Sequence, residues 1–279
     1  MPELPEVETI KNAVEKAISG GRILSTTVRQ PKLRETVPAN FAERIRGAQI
    51  IGLRRIAKYM IMNLDNGLCI IWHFGMSGKI KIESAVPEIL DKHDHIVIST
   101  DKGALIYNDT RRFGLVTLCE SVNLKQHHCF VRIGLDPWDG DLTAEYLLDK
   151  FKNRKTAIKI ALLDQEIICG IGNIYASEIL YKARILPQRA SESITRSEAE
   201  KIIAYTREIL SESIKAGGST IHDYKRPDGD IGYFQQRHCV YNKTGQRCPD
   251  CKCDIKNSGG IRKDIQGGRS TFYCPILQK

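Results

Sequence analysis

Residues 1–9 read MPELPEVET, and this opening decides how the fold and the chemistry of the chain are interpreted. Pro5 suits the first turn of a helix, and the apolar residues after it recur at helical spacing, so a helix is expected to begin near Pro5. These apolar residues are Val7, Ile10, Val14 and Ile18. Taken alone, Pro2 and Pro5 would do no more than start this helix.

The same stretch offers a nucleophile. Removal of Met1 is expected to leave Pro2 as a free secondary amine next to Glu3. An α-amino group titrates at about pH 8, and the positive end of a helix dipole disfavours its protonated form. An amine beside a carboxylic acid is what imine chemistry on a sugar aldehyde carbon requires. The opening is therefore a candidate catalytic site.

Residues 20–120 have the pattern of a β-rich domain. They are rich in β-branched and aromatic residues, with turn sequences between the apolar runs. Asp65-Asn66-Gly67 and Asp101-Lys102-Gly103 separate runs of strand type, the second as a three-residue loop, and both favour hairpins. The region is predicted to be an antiparallel sandwich or barrel.

From Leu142 the apolar spacing becomes helical. Thr195 and Glu198 form a capping-box pattern at the start of one helix, and Gly217-Gly218 is expected to end it. The predicted fold class is α+β and multidomain, with an N-terminal β-sandwich that has an opening helix, a helical domain and a small C-terminal module. The expected boundaries are 1–134, 135–234 and 235–279.

The positive charge is concentrated at one end of the chain. The formal net charge is +9, and residues 235–279 hold nine Lys and Arg against three Asp, a net +6. The same segment holds five of the nine cysteines. A basic, cysteine-rich segment is typical of a small nucleic-acid-binding module, although a solvated basic tail has the same composition.

Composition also excludes some classes of protein. No run approaches the roughly 18 apolar residues of a membrane-spanning helix, so an integral membrane protein is excluded. Nine cysteines, an odd number with four among apolar neighbours, argue against a disulfide scaffold and for a reducing compartment. The first ten residues carry three Glu and no Lys or Arg, the wrong charge for a secretory signal. A cytoplasmic protein is expected.

The opening stretch is similar to the start of the formamidopyrimidine-DNA glycosylases, the bacterial enzymes that excise oxidised purines. Further stretches match the same family in the same order along the chain. They are residues 55–59, 73–78, 109–114, 170–178 and 268–274. The resemblance runs from residue 1 to about residue 275. It implies a β-sandwich catalytic domain, a helix–two-turns–helix domain and a C-terminal β-hairpin finger of the zinc type.

The resemblance implies a reaction and the residues for it. In that family the residue matching Pro2 attacks the anomeric carbon of the deoxyribose, expels the damaged base and leaves an enzyme-linked imine. Glu3 matches the acid that helps to open the sugar, and Lys58 matches the lysine that assists β-elimination and contacts phosphate. Arg269 matches the finger arginine that grips the flanking phosphates and is assigned to δ-elimination. By its sequence context alone, Lys58 would be a solvated strand residue.

Other matched residues are expected to contact DNA. Met76, Arg111 and Phe113 resemble the residues that fill the gap when the target nucleotide leaves the stack, although periodicity alone would place Met76 and Phe113 in the core. His95 is expected to be structural. The turn at 170–173 is expected to be capped by Asn173 and to aim N–H groups at a phosphate. The remaining expected contacts to DNA are His93, Arg112, Lys155 and Asn173.

The finger departs from the family pattern. Cys248-Pro-Asp-Cys251 resembles half of a zinc site and Cys274 supplies a third thiol, but Leu277 stands where the family has a fourth cysteine. We expect one zinc ion per chain bound by Cys248, Cys251 and Cys274. The alternative is a metal-poor hairpin that is held by side-chain packing. Either version would present Arg269 to DNA. Other candidate donors are Cys253, His238 and Cys239.

The resemblance therefore implies a bifunctional DNA glycosylase and abasic-site lyase of base-excision repair, which removes 8-oxoguanine and formamidopyrimidines and then cuts the strand by β,δ-elimination. The expected partner is double-stranded DNA with oxidised bases or abasic sites, bound by a monomer in the bacterial nucleoid. An endonuclease VIII-like enzyme for oxidised pyrimidines and a catalytically silent DNA-binding homologue are the alternatives. Residues 219–224 lack the basic residue that the family often has there, so lesion preference is less well supported than the chemistry.

Overall fold

The structure is a computed structural model that describes residues 2–219, 233–251 and 254–279. The chain forms two compact units. The first comprises Met1–Arg132 and Ile214–Gln235, and the second comprises Ile133–Ser213 and Gln236–Lys279. Strands dominate the first unit and helices the second, which confirms the α+β class.

The first unit opens with helix α1, Leu4–Ile18, which begins one residue before the predicted Pro5. Glu3 is the N-cap residue, and Pro5 lies in the first turn, where its missing N–H loses no intrahelical hydrogen bond. The apolar face is buried, as its spacing predicts. Its residues are Val7, Ile10, Val14 and Ile18.

Two four-stranded antiparallel sheets make up most of the first unit. Their strands are β1 (Ile23–Val28), β2 (Ile50–Ile56), β3 (Tyr59–Leu64), β4 (Leu68–His73), β5 (Gly78–Glu83), β6 (Asp94–Thr100), β7 (Gly103–Asp109) and β8 (Leu115–Glu120). One sheet has the order β1-β6-β7-β5 and the other the order β2-β3-β4-β8. Side chains from α1, from the short helix α2 (Phe41–Ile45) and from both sheets share one hydrophobic core, which confirms the sandwich.

Both predicted hairpins are present. Asp65-Asn66-Gly67 joins β3 to β4. Gly103 already pairs with Thr100, so the loop between β6 and β7 has two residues, Asp101 and Lys102, and the predicted three-residue loop was wrong. The reason is that Gly103, at φ +142°, starts its strand instead of forming the turn.

The second unit contains four α-helices before its C-terminal segment. They are α3 (Ala144–Phe151), α4 (Ile158–Leu163), α5 (Asn173–Ala183) and α6 (Arg196–Lys215). The capping box of α6 is confirmed, since the Thr195 N–H donates to Glu198 Oε2 at 2.9 Å and the Glu198 N–H donates to Thr195 Oγ1 at 3.3 Å. This helix ends before Gly217, as predicted, and Gly217 has the left-handed φ of +79°.

The C-terminal segment contains a short helix and a β-hairpin. The elements are α7 (Ile255–Ser258), β9 (Arg262–Gln266) and β10 (Arg269–Tyr273). Gly267 and Gly268 form the turn with φ of +54° and +71°, a backbone that tight hairpins require and that glycine adopts without strain. The expected hairpin finger is thereby confirmed.

Two expectations from composition concern thiols and membranes. The eight cysteines among the described residues are all free thiols. Within the described ranges, no helix combines the length and the apolar character needed to cross a membrane.

One buried carboxylate fixes the C-terminal segment to α5. Glu178 is 3% exposed, and its Oε2 accepts the Cys239 N–H at 2.7 Å. Its Oε1 accepts the N–H groups of Val240 at 3.0 Å and Tyr241 at 2.8 Å. Burial raises the pKa of Glu178, while these three N–H groups favour the carboxylate. One side chain therefore binds three consecutive N–H groups of the segment at 239–241.

We predict that Glu178→Ala lowers the free energy of unfolding by about 3 kcal/mol or more, because each buried N–H left without an acceptor costs about 1–3 kcal/mol. Urea denaturation of the intact chain measures this change. Glu208→Ala is the control, since Glu208 is exposed on α6 and its loss should cost less than about 0.5 kcal/mol. Equal midpoints for the two variants would contradict the anchoring role.

Candidate functional site

The predicted nucleophile lies at a buried and firmly held start of the chain. Pro2 is buried and Glu3 is 2% exposed. The Glu3 N–H donates to Glu6 Oε2 at 2.9 Å, and Glu6 Oε1 accepts the Ser219 N–H at 2.8 Å. Glu6 therefore joins the first residues to the segment that follows α6. The loop residues expected to affect lesion preference, 220–226, lie outside the described residues.

Lys58 lies in the two-residue turn between β2 and β3 and is 7% exposed, so it is not a solvated strand residue. Ala57 precedes it with φ +52°, a left-handed conformation that costs a non-glycine residue about 1–2 kcal/mol. Arg55 Nε contacts Glu8 Oε2 at 2.8 Å, and Arg55 Nη1 donates to the Ala57 carbonyl at 3.1 Å. Because Glu8 lies on α1, Arg55 links the helix that follows Pro2 to the turn that carries Lys58.

A neutral histidine lies beside this turn. Burial lowers the pKa of His73 to about 4, with the positive charges of Arg34 and Lys58 acting in the same direction. The Nδ1 atom of His73 accepts the Gly75 N–H at 3.0 Å, which requires the ring to be unprotonated at that nitrogen. The Tyr59 ring packs on His73 with 4.8 Å between centroids. His73 is therefore a neutral hydrogen-bond acceptor at physiological pH.

Asp109 organises two of the matched loops. Its carboxylate is 0% exposed. Asp109 Oδ1 accepts the Ser77 hydroxyl at 2.6 Å and the Arg111 N–H at 3.2 Å, and Oδ2 accepts the Gly114 N–H at 2.8 Å and the Tyr107 hydroxyl at 3.1 Å. A buried carboxylate with this many donors fixes the backbone on both sides of it. The loops at 75–78 and 110–114 are thus held by one group.

Met76, Arg111 and Phe113 form an exposed group on these two loops. Met76 is 41% exposed and Phe113 is 49% exposed, so the alternative of core packing was wrong for both. The Arg111 Cζ lies 4.9 Å from the centroid of the Phe113 ring. A Cβ atom at Gly75 would lie 2.4 Å from the Phe113 carbonyl, so the glycine allows the two loops to touch.

The other predicted DNA contacts of the first unit lie near the same carboxylate. The Asp109 N–H donates to the His93 carbonyl at 3.1 Å, and His93 is half-buried. His95 is buried with Nε2 2.8 Å from the Asp109 carbonyl, in keeping with its expected structural role. Arg112 is exposed and has a left-handed φ of +57°. In the second unit, Lys155 is exposed between α3 and α4.

Arg269 is exposed at the tip of the C-terminal hairpin, directly after Gly268. The backbone behind it is anchored by Lys159, which is 0% exposed. Lys159 Nζ donates to the Ser270 carbonyl and to Thr271 Oγ1, each at 2.8 Å. A buried ammonium group needs several acceptors, and here two of them come from the hairpin. The position of Arg269 therefore depends on a lysine of α4.

The prediction that Asn173 caps the turn at 170–173 was wrong. Gly172 is the N-cap residue of α5, and Asn173 is the first helical residue. The amide of Asn173 is engaged elsewhere, because its Oδ1 accepts Lys159 Nζ at 2.7 Å and its Nδ2 donates to the Ser270 carbonyl at 2.9 Å. Sequence reasoning missed Lys159. The available signal was a single charge inside the apolar run at 158–163.

The expected metal ligands come together in the second unit. Cys248, Cys251 and Cys274 are buried, and their Sγ atoms all lie within 4.8 Å of one another. The Sγ atoms of Cys248 and Cys274 are 3.4 Å apart. Thiolates on one tetrahedral zinc lie about 3.8 Å apart, so these residues fit three of the four positions.

Several residues were candidates for the fourth zinc ligand. Among the described residues, neither His238 nor Cys239 belongs to the three-thiol group, so these two alternatives were wrong. Cys239 lies against the Glu178 carboxylate, and burial together with that negative charge raises the pKa of its thiol to about 12. Leu277 packs against the cluster as an apolar residue. Cys253 lies outside the described residues.

Family comparisons agree with this architecture. The model of the formamidopyrimidine-DNA glycosylase N-terminal domain matches residues 1–116, and the model of the formamidopyrimidine-DNA glycosylase H2TH domain matches residues 133–225. A formamidopyrimidine-DNA glycosylase of Rhodospirillum rubrum is 41% identical, and one of Dinoroseobacter shibae is 40% identical. Each match covers 100% of this chain and 100% of the relative.

Solved structures give the same result. A Lactococcus lactis FPG variant in complex with Fapy-dG-containing DNA aligns with a TM-score of 0.90 at 32% identity over 100% of both chains. The Lactococcus lactis Fpg with abasic-site DNA aligns with a TM-score of 0.90 at 32% identity over 99% of both chains. Fold and site define the class of DNA repair glycosylases with a helix–two-turns–helix domain. The chain belongs to the formamidopyrimidine-DNA glycosylase family.

We predict that His73 makes the protein sensitive to acid. The pKa of His73 is lower in the folded chain than in the unfolded chain, so the unfolded state binds more protons and stability falls as the pH drops from about 6.5 to about 4. His73→Asn keeps an acceptor near the position of Nδ1 but does not titrate. Its urea midpoint should fall less across this window than that of the wild type.

Tyr59→Phe provides the control for this measurement, because it alters the ring that packs on His73 but keeps the histidine. This variant should keep the wild-type slope of stability against pH. An unchanged slope in His73→Asn would show that other groups cause the acid sensitivity.

Proposed function

We propose that this chain removes oxidised purines, 8-oxoguanine and formamidopyrimidines, from double-stranded DNA and then cuts the strand by β,δ-elimination. The observation that carries the proposal is the start of the chain, where a buried Pro2 and Glu3 are held by the Glu6 carboxylate at the first turn of α1. A chain terminus is normally mobile, and fixing one is required when its amine is a nucleophile.

In the first step the Pro2 nitrogen attacks C1′ of the damaged nucleotide, the bond from C1′ to the base breaks, and the proton that the Pro2 nitrogen loses neutralises the departing base. The Glu3 carboxyl gives a proton to the ring oxygen as the sugar opens, which leaves an iminium between Pro2 and C1′. The iminium acidifies the C2′ proton, whose removal expels the 3′ phosphate. A second elimination expels the 5′ phosphate.

Lys58 and Arg269 are proposed to serve these eliminations through the phosphates. Support for Lys58 comes from its buried position in the β2–β3 turn, where the strained Ala57 backbone and the Arg55–Glu8 link limit its movement. Support for Arg269 comes from its exposed position on an anchored hairpin. Arginine is always charged and grips two phosphate oxygens at once, which suits a departing phosphate.

Met76, Arg111 and Phe113 are proposed to fill the space that the rotated nucleotide leaves. Rotating a nucleotide out of the duplex costs a few kcal/mol, and inserted side chains offset part of that cost. Their exposure on loops fixed by Asp109 supports this role, because an inserted wedge must not retract. The proposed contacts to the DNA backbone are His93, Arg112, Lys155 and Asn173.

We propose one zinc ion in the finger, bound by Cys248, Cys251 and Cys274. When bound, zinc would supply no chemistry to the reaction and would hold the loop at 248–251 against the end of β10. The fourth position falls to Cys253 or to a water molecule. The proposed division of the chain is 1–134, 135–234 and 235–279, and the proposed location is the bacterial cytoplasm at the nucleoid.

We predict that borohydride traps a covalent complex between the processed protein and a duplex with 8-oxoguanine. Replacement of Pro2 by alanine should lower the trapping rate at least about 100-fold, because the secondary amine and its constrained geometry are lost. Retention of Met1 should abolish trapping. Pro5→Ala is the matched control, since Pro5 lies in the same helical turn but offers no amine, and it should trap at nearly the wild-type rate.

Unchanged trapping in the chain that retains Met1 would contradict the assignment of Pro2. Absence of any adduct in the wild type, with normal binding to the same duplex, would instead favour the catalytically silent homologue.

The rate of base release separates the purine and pyrimidine alternatives. A solved Lactococcus lactis relative is a complex with DNA containing an oxidised pyrimidine. This observation supports oxidised pyrimidines as the alternative substrates. We predict that 8-oxoguanine and formamidopyrimidine duplexes are processed at least about tenfold faster than a thymine glycol duplex in single-turnover reactions. Faster release of thymine glycol would overturn the purine assignment.

We predict that protein purified without added metal retains about one zinc ion per chain, measured by elemental analysis. Cys274→Ser should remove it, since a serine hydroxyl is a poor ligand for zinc. Cys169→Ser is the control, because Cys169 is a buried thiol of the same unit outside the cluster. A wild-type content below about 0.2 zinc per chain would rule out the finger site.

A further inference from the structure

A second group of side chains that can bind a metal ion lies in the first unit. The proposed reaction assigns no role to this group. His127, His128 and Cys129 are consecutive, and one donor atom from each lies within 4.8 Å of the other two. The three residues follow the 3₁₀ helix Ser121–Gln126. None of the motifs that carry the family resemblance includes them.

The backbone holds these consecutive side chains on one side of a tight turn. The His127 carbonyl accepts the N–H groups of Phe130 at 2.7 Å and Val131 at 3.1 Å. The Cys129 N–H donates to His127 Nδ1 at 3.3 Å, which orients that ring, and the two imidazole rings lie 4.3 Å apart. Neighbouring residues in an extended chain would point in opposite directions, so the turn creates the cluster.

A fourth donor comes from a distant part of the same unit. Glu35 Oε1 lies 3.1 Å from His128 Nε2, and that nitrogen lies 3.5 Å from Cys129 Sγ. A tetrahedral zinc with bonds of about 2.0 Å to nitrogen and about 2.3 Å to sulfur places those two atoms about 3.5 Å apart. The observed spacing therefore matches one edge of a zinc tetrahedron. The Glu35 carboxylate contacts His128 but does not belong to the group of donor atoms within 4.8 Å of one another, so its side chain must rotate to bind the same ion.

We propose that His127, His128 and Cys129, with Glu35, bind a zinc ion at a site distinct from the finger. Imidazole, thiolate and carboxylate are the ligands that zinc takes in proteins, whereas Mg²⁺ and Ca²⁺ take oxygen donors. The side chain of His128 is 60% exposed and that of Glu35 is 45% exposed, so the ion exchanges with solvent. The finger thiols, in contrast, are buried.

Zinc at this site would cross-link residues 93 positions apart, at Glu35 and His128. It would also hold the turn against Tyr59, since the Phe130 ring lies 5.1 Å from the Tyr59 ring and Cys129 hydrogen-bonds the Tyr59 side chain. Tyr59 directly follows Lys58. The metal site is thus linked through Tyr59 to the β2–β3 turn that carries Lys58.

The test measures the alkylation rate of Cys129 by iodoacetamide in the intact native protein, read by mass spectrometry of its peptide. Zinc chloride should slow this reaction at least tenfold, because a metal-bound thiolate is not free to attack. Magnesium chloride should not slow it. Cys119 is the internal control, since it is a half-buried thiol of the same unit outside the cluster, and its rate should not respond to zinc.

Two variants test the ligand set. His128→Asn should abolish the zinc protection of Cys129, and Glu35→Gln should weaken it several-fold. Both positions are exposed, and an unchanged thermal midpoint without zinc checks the fold. A Cys129 rate in the wild type that is the same with and without zinc would overturn the proposal, and leave only a His128–Glu35 ion pair. Full protection in His128→Asn would overturn it as well.

Discussion

The proposed chemistry depends on two hydrogen bonds that the Glu6 carboxylate accepts. A nucleophilic amine at a chain terminus must be still, yet termini are the most mobile parts of most domains. Glu6 binds the Glu3 N–H with one oxygen and the Ser219 N–H with the other, so the first residues are fixed to the segment after α6. Gly218 lies against the same side chain, and a Cβ atom there would come within 3.1 Å of it. Glu6, which has no proposed chemical role, thereby sets the geometry of Pro2 and Glu3, the proposed nucleophile and acid.

The same principle recurs in both units, where buried charged groups hold exposed residues that are proposed to contact DNA. Asp109 fixes the loops that bear Met76 and Phe113, and Lys159 fixes the hairpin that bears Arg269. Removing such groups from water is costly, and it is tolerable only because each finds several hydrogen-bond partners. The exposed side chains therefore remain accessible to a polyanion, while hydrogen bonds from the buried groups fix the backbone that carries them. The surface proposed to bind DNA is therefore supported by buried groups.

Prediction from the sequence succeeded where one residue type or spacing carries the information. Helical periodicity identified the buried face of α1, and the Asn-Gly turn and the Thr195–Glu198 capping box were confirmed. Prediction failed where contacts between residues distant in sequence determine the local structure. The cap at Asn173 was wrong because that amide serves Ser270, and the core placement of Met76 was wrong because Asp109 holds its loop at the surface. Lys159 and Glu178 were missed for the same reason, since their partners lie far away in sequence. The roles of Pro2, Lys58 and Arg269 came from the family resemblance.

The loss of the fourth family cysteine does not by itself weaken the presentation of Arg269. The hairpin is tied to the helical part of its unit at several points that involve no metal. Besides Lys159, Gln188 Nε2 donates to Asp264 Oδ2 at 2.7 Å, and Gln266 Nε2 donates to the Pro187 carbonyl at 3.3 Å. The turn glycine Gly267 packs against Ile160 of α4. These contacts act on β9 and β10 near Arg269, whereas the thiols lie where β10 ends. Holding the arginine and binding the metal are thus separable, so the phosphate contact proposed for Arg269 does not require a fourth thiol.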